Sequence, residues 1–323
     1  MNVLVLVDHA DGAVRPTALE LLTLARDLTS ASGGVVVHAV WVGESPQTEL
    51  LAAHGAATLH QVHVDGADAQ LTASVVDALQ TVITAVEPSL LLVASTFEGK
   101  EVAARLAVRA GAGVVTGAAS VAVEDGRWVA RKSVLAGSWD TACAATGRLA
   151  VVALAPNVVP AAPLAVPADT TLVEHTVAAS PAARAVTVVS RTKRPTGDRP
   201  ALAEAEVVVV GGRGVDGDFS GVEELADVLG AAVGATRVAT DEGWIGHEAQ
   251  VGQTGVTISP RLYIGLGVSG AVHHRGGMDA AGTVVAVNND PDAPIFEFAD
   301  YGIVGDLGEV VPALVAELRA RRP

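Results

Sequence analysis

The stretch Arg261 to Gly277, RLYIGLGVSGAVHHRGG, constrains this chain more than any other. Leu262 to Leu266 is a short apolar run of the kind that forms a strand buried on both faces. Gly265, Gly267 and Gly270 then follow at the spacing G-x-G-x-x-G. Glycines there permit a tight turn and let a phosphate approach the backbone, and a helix start beyond them offers free N–H groups to an anion. The same pattern also suits a bare strand-to-helix turn in a chain with 34 glycines. The surrounding residues have to decide between the two.

The chain is long enough for two domains, and half of its 323 residues are hydrophobic. A formal charge of −15 argues against nucleic acid or an anionic membrane surface as the main partner. The single cysteine, Cys143, excludes an internal disulfide and multi-cysteine metal centres. It has no basic neighbour and reads as a buried, inert thiol. Asp8 and Asp11 interrupt the apolar start MNVLVLVDHADG, unlike a secretory signal. No apolar run reaches the ~18 to 20 residues of a bilayer span. These features imply a soluble cytoplasmic protein without membrane insertion.

Strands at 2–7, 35–42, 59–64 and 90–95 alternate with helical patterns at 15–28, 47–54, 68–86 and 99–109. Such alternation means β–α–β crossovers and a parallel sheet. From Gly113 the helical patterns stop. Runs at 117–123, 127–135, 149–154 and 185–190 predict an antiparallel extension of that sheet. Residues 1–190 are therefore read as an α/β domain, and the charged, proline-bearing RTKRPTGDRP (191–200) as a linker. Residues 201–323 resume the α/β texture. Strands are predicted at 206–210, 262–266, 283–287 and 295–298, and helices at 221–229 and 306–319, the last capped by Asp306. The expected class is two α/β domains, the second a Rossmann-like parallel-sheet domain.

Several residues of this second domain carry possible chemistry. Arg213 sits in a second glycine turn, GGRG, where its guanidinium could grip a phosphate or stand free in solvent. Asn288-Asn289-Asp290 lies about 20 residues past Gly270, the distance of a ribose-binding acid, and is equally a turn. The loop QVGQTG (250–255) is polar and glycine-punctuated, as ligand-lining loops are. Arg237, in the apolar context GATRVAT, reads as semi-buried and in need of an anion or an electron-rich ring, supplied by a ligand or by a structural ion pair. Adjacent His273 and His274 point about 100° apart on a helix, which disfavours a metal pair. They remain open to a structural role or to contact with a redox ring. His9, after the first strand, reads as a cap on a strand end.

Taken together, QVGQTG, SPRLYIGLGVSGAVHHRGGM and TVVAVNNDPDAPIFEFADYGIVGDLGEVVPAL resemble the electron transfer flavoprotein α-subunit family over about 120 C-terminal residues. MNVLVLVDH and VARKSVLAGSWDTACAAT resemble its first domain more loosely. The resemblance implies a heterodimer with a β subunit, which carries AMP, and FAD held mainly by this chain's second domain. It implies electrons arriving singly from acyl-CoA dehydrogenases and related flavoenzymes, as in fatty acid β-oxidation, and leaving to a membrane quinone oxidoreductase. Carried over by position, the FAD site comprises Arg213, Thr236, Arg237, Val251, Gly252, Gln253, Thr254, Val268, Ser269, Gly270, Ala271, Val272, His273, His274, Asn288, Asp306 and Leu307. Arg237 would lie over the isoalloxazine, Thr254 near N5 and His274 at the N1/O2 edge, the three residues expected to tune the redox chemistry. No metal is implied.

Three departures stand out. The family's usual Gln is His273 here, its usual Ser is Thr236, and the loop after Gly214 is about two residues shorter. Competing readings are an electron-bifurcating relative with a second FAD on β, an NAD-dependent dehydrogenase suggested by the glycine spacing alone, and a flavin-free paralogue.

Overall fold

The computed structural model describes residues 2–30, 36–192 and 197–321. It divides into two compact units, residues 1–132 with 141–193, and residues 133–140 with 194–323. The middle of the expected linker, residues 193–196, lies outside the described residues.

In the first unit, β1 (Asn2–Leu6) leads to a small hairpin, β2 (His9–Ala10) and β3 (Ala13–Val14). There follow α1 (Pro16–Ser30), β4 (Val36–Val42), α2 (Thr48–Ala53), β5 (Thr58–Asp65), α3 (Thr72–Val86), β6 (Leu90–Ala94) and α4 (Phe97–Ala110). Then come β7 (Gly113–Ala118), β8 (Ser120–Glu124), β9 (Arg127–Val134), β10 (Trp139–Ala144), β11 (Ala150–Leu154), β12 (Thr171–Ala178) and α5 (Pro181–Arg184). Seven strands make one sheet in the order β12-β5-β4-β1-β6-β11-β7. Every register described in it is parallel. Central strands β6 and β11 are buried along their whole length, which explains their unbroken apolar sequences. One face packs on Leu21, Leu22 and Ala25 of α1. The other packs on Val76, Leu79 and Val82 of α3 and Val102 and Leu106 of α4.

The antiparallel extension expected after Gly113 is corrected here. β7 and β11 join the main sheet in parallel, and only β8, β9 and β10 form a separate three-stranded sheet, with β8 and β9 antiparallel. The reason is burial: AVVAL of β11 needs cover on both faces, which a central parallel position provides. The strand expected at 185–190 is absent; one edge strand is β12, whose alternating TLVEHTVA half-buries one face and exposes the other. Cys143 is half-buried on β10, not sequestered. His9 stacks on Trp41 with ring centroids 3.8 Å apart, and its Nε2 lies 3.0 Å from the Val42 carbonyl.

The second unit contains β13 (Val207–Gly211), α6 (Ser220–Leu229), β14 (Ala232–Ala235), α7 (Arg237–Asp241), β15 (Leu262–Leu266), α8 (Val272–Arg275), β16 (Thr283–Asn288), β17 (Tyr301–Val304) and α9 (Leu307–Arg321). The sheet order is β14-β13-β15-β16-β17, parallel throughout. α6 and α9 cover one face through Val222, Leu225, Val311 and Val315. The other face is closed by loop residues, among them Val251, Ile258, Met278 and Ile295.

Two expectations are corrected in this unit. AVGA and RVATD, for which neither strand nor helix is predicted, are β14 and α7. AVGA has one β-branched residue, and only pairing with β13 makes it a strand. Ile295–Phe298, read as a strand, belongs to a 3-10 turn opened by Pro294, and the edge strand is the exposed β17. Asp306 caps α9 as expected, its Oδ1 accepting from the Gly308 N–H at 2.7 Å.

A candidate cofactor cleft at the carboxyl ends of the second sheet

The sheet order 2-1-3-4-5 places its switch point between β13 and β15, where open parallel sheets bind ligands beyond their carboxyl ends. Both glycine turns leave from that point. A β-carbon on Gly212 would stand 2.3 Å from the Gly267 carbonyl oxygen, and one on Gly270 2.5 Å from the Ile295 nitrogen. The turns are therefore packed backbone to backbone, which only glycine allows. Beside them lies a cavity of about 370 Å³, lined by residues including Gly214, Asp218, Ser220, Gly267, Asp306 and Leu307. Its carboxylates suit hydroxyl donors such as those of a ribose.

The predicted residues gather at the carboxyl ends of all five strands. Arg213 follows β13, exposed at the start of a 3-10 turn. Thr236 and Arg237 follow β14, Val268 to His274 follow β15, Asn288 ends β16, and Asp306 and Leu307 follow β17. Asn288 donates from Nδ2 to the Val268 carbonyl at 2.9 Å and accepts from the Asp290 N–H. Its place is thus both turn-forming and at the site. The loop Val251 to Thr254 joins the histidine turn directly. The Gln253 N–H donates to the His273 carbonyl at 2.8 Å. Gly277 is so close to Gly252 that a β-carbon on it would lie 2.3 Å from the Gly252 Cα. Ser269, Ala271, Val272, His273, Gln253 and Thr254 are exposed.

Two side chains and one helix differ from the sequence reading. Arg237 is not semi-buried: 69% of its side chain is exposed, and it pairs with Asp241 one helical turn on. The buried face of α7 is Ala239 and Thr240, while Val238, 40% exposed, lies in solvent alongside Arg237. The helix after Gly270 is a single turn, Val272–Arg275, so it lacks the length to build a strong dipole. His274 is buried, and both ring nitrogens are engaged: Nδ1 with the Val251 carbonyl at 3.0 Å and Nε2 with the Tyr263 hydroxyl at 2.7 Å. Burial lowers its pKa to about 4, against the opposing Val251 hydrogen bond, so the ring is neutral at pH 7.

Sequence reasoning missed the residues behind the exposed ones. Thr240 donates to Gln250 Oε1 at 3.0 Å, and Gln250 Nε2 donates to the Thr254 hydroxyl at 3.1 Å. Gln250 thereby fills one lone pair of Thr254 and leaves that hydroxyl proton to point elsewhere. Only the polarity of QVGQTG hinted at this chain. The Thr236 hydroxyl is buried without a hydrogen-bond partner at the end of β14. An orphaned hydroxyl, a glycine cradle and a cavity on one sheet edge fit a dinucleotide-type cofactor. Among the described residues, no group of three or more His, Cys, Asp or Glu side chains could hold a metal ion.

Fold and site together define a two-unit α/β protein whose second unit has the switch point, glycine turns and adjoining cavity of a dinucleotide-binding type of sheet. Residues 3–192 match the family model of the electron transfer flavoprotein domain, and residues 201–279 that of the electron transfer flavoprotein FAD-binding domain. The chain is 42% identical over 325 residues to an electron transfer flavoprotein subunit alpha of Mycobacterium leprae, covering 99% of this chain and 98% of that one. It is 44% identical over 323 residues to the Mycobacterium tuberculosis counterpart (99% of each). It is 34% identical over 326 residues to that of Bacillus subtilis (98% and 97%). The chain belongs to the electron transfer flavoprotein α-subunit family, and its second unit carries that family's flavin-binding domain. No helix among the described residues is long and apolar enough to cross a membrane.

Proposed function

We propose that this chain is the α subunit of a heterodimeric cytoplasmic electron carrier that holds FAD at the carboxyl edge of its second sheet. The carrying observation is the convergence of Arg213, Thr236, the Val251–Thr254 loop, the Val268–His274 turn, Asn288 and Asp306 on the ends of five parallel strands. Bound FAD supplies one-electron chemistry. The chain's own residues bind and orient it. The glycine turns admit the pyrophosphate, Asp306 and Asn288 serve the adenosine end, and Thr236 offers an unused hydroxyl. Thr254 is held by Gln250 with its proton free to donate. Arg237, on a solvent-facing turn, has the reach to fold over a ring once Asp241 releases it.

In this reading a β subunit carries AMP, acyl-CoA dehydrogenases deliver electrons and a membrane quinone oxidoreductase receives them. The protein is a carrier and transforms no substrate. The test is cofactor stoichiometry of the chain purified with its β partner. One FAD and one AMP per heterodimer is expected, with absorbance near ~450 nm from the oxidised flavin. Two FAD would indicate a bifurcating relative. A colourless protein that binds NADH would favour a dehydrogenase, and no cofactor at all a flavin-free paralogue.

A further inference from the structure

Tyr263 is the largest side chain buried in the second unit, fully enclosed on β15, and its hydroxyl reaches one partner, His274 Nε2, at 2.7 Å. A backbone carbonyl can only accept, so His274 Nδ1 must donate to the Val251 oxygen. In a neutral ring Nε2 is then an acceptor, and the phenol must donate to it. Burial raises the Tyr263 pKa and lowers that of His274, so this arrangement of protons holds at physiological pH.

The glycines around this chain of bonds exist to permit it. Gly265 lies two residues along β15, on the same face as Tyr263. A β-carbon there would stand 3.0 Å from the Tyr263 ring and 3.2 Å from its hydroxyl. The first glycine of G-x-G-x-x-G thus makes room for a tyrosine. Beyond His274, Gly277 and Gly252 bring the histidine turn and the Val251 loop into backbone contact.

We infer that Tyr263 is a positioning residue of the cofactor site: by donating to Nε2 it holds in place the His274 ring, whose Nδ1–H the Val251 carbonyl requires, and so sets the Val251–Thr254 loop against the histidine turn. Its importance for the cofactor rests on the proposal that this loop holds FAD; the tautomer does not. The phenol itself touches no cofactor.

The test is Tyr263→Phe in the complex purified with its partner subunit, read by ¹⁵N-histidine NMR and by FAD retention. His274→Gln identifies the His274 signals. Wild type is expected to show His274 as the Nδ1–H tautomer with a hydrogen-bonded Nε2, and Tyr263→Phe the same tautomer with the Nε2 signal moved to that of an unbonded acceptor. FAD binding is expected to weaken about tenfold, the worth of one hydrogen bond. In a His274→Gln background Tyr263→Phe should weaken it no further. An unchanged Nε2 signal in Tyr263→Phe overturns the inference. So does an equal loss of FAD in the His274→Gln background, which would mean that the Tyr263 hydroxyl acts by a route other than His274. A wild-type complex without FAD overturns the proposed function instead, and the Nε2 signal still judges Tyr263.

Discussion

Gly267 approaches Gly214 so closely that a β-carbon on Gly267 would stand 2.6 Å from the Gly214 Cα. Gly267 also has a φ of +63°. Gly267→Ala therefore meets both backbone overlap and left-handed strain, the latter alone worth about 1–3 kcal/mol. The variant should lose most of its cofactor and unfold at lower temperature. Gly243→Ala is the control, since Gly243 has a φ of +74° and nothing within 4 Å. If the two variants melt alike, the close approach of the glycine turns carries no energetic weight.

His60 links β4, β5 and β12 in a chain of imidazoles, with His38 Nδ1 3.0 Å from its Nε2 and His175 Nε2 2.9 Å from its Nδ1. Burial, then the two neighbouring histidines, lower its pKa to about 4 from 6.5. The unfolded chain takes up that proton first. The contribution is therefore intact above about pH 6.5 and fades as pH falls towards 4, by at most on the order of 3 kcal/mol. His274 has the same sign. Urea unfolding at about pH 7 and about pH 5 should show a smaller drop for His60→Leu than for wild type. Equal drops would mean that the imidazole chain does not sense protons.

Asp77 of α3 is 2% exposed, ion-paired to Arg109 of α4, and accepts from the Ser180 N–H at 2.8 Å. Burial acts to raise its pKa, but the Arg109 and Ser180 hydrogen bonds outweigh this and lower it. Asp77→Ala strands a buried N–H and a half-exposed guanidinium. A loss of roughly 2–3 kcal/mol is expected in denaturant unfolding. Asp77→Asn should lose less, because its carbonyl can still accept from Ser180. Identical losses would assign the whole effect to charge.

Thr236→Val separates folding from binding. Its hydroxyl is buried without a partner, so the isosteric methyl should leave the cofactor-free chain equally stable, or steadier by up to about 1 kcal/mol. FAD retention, by contrast, should fall about five- to tenfold. Unchanged retention would remove Thr236 from the site.

Where the sequence was legible, it was so for a physical reason. NVLVLV, LLLVA and the Leu262–Leu266 run declare themselves because strands buried on both faces carry no polar residue. The capped helix at 307–321 is visible from Asp306 onward. The glycine turn at 265–270 and the loop 250–255 mark themselves by what they lack, side chains that would block close approach. AVGA was illegible because a short strand with little β preference forms only against a partner. The burial of Arg237 was misjudged because five residues of a helix place one side chain in water whatever its neighbours are.

By itself, then, the sequence determined the α/β class, the family and most of the residues that lie at the carboxyl ends of the second sheet, since these follow from local periodicity and from motifs that survive in the chain. The tertiary structure decided what those residues can do. It turned His274 inward, neutral and doubly bonded, paired Gln250 with Thr254, gave Gly265 to Tyr263, and lined three histidines across β4, β5 and β12. Donor direction, tautomer and proton affinity depend on partners distant in the chain and on the loss of water around them. No local pattern encodes either.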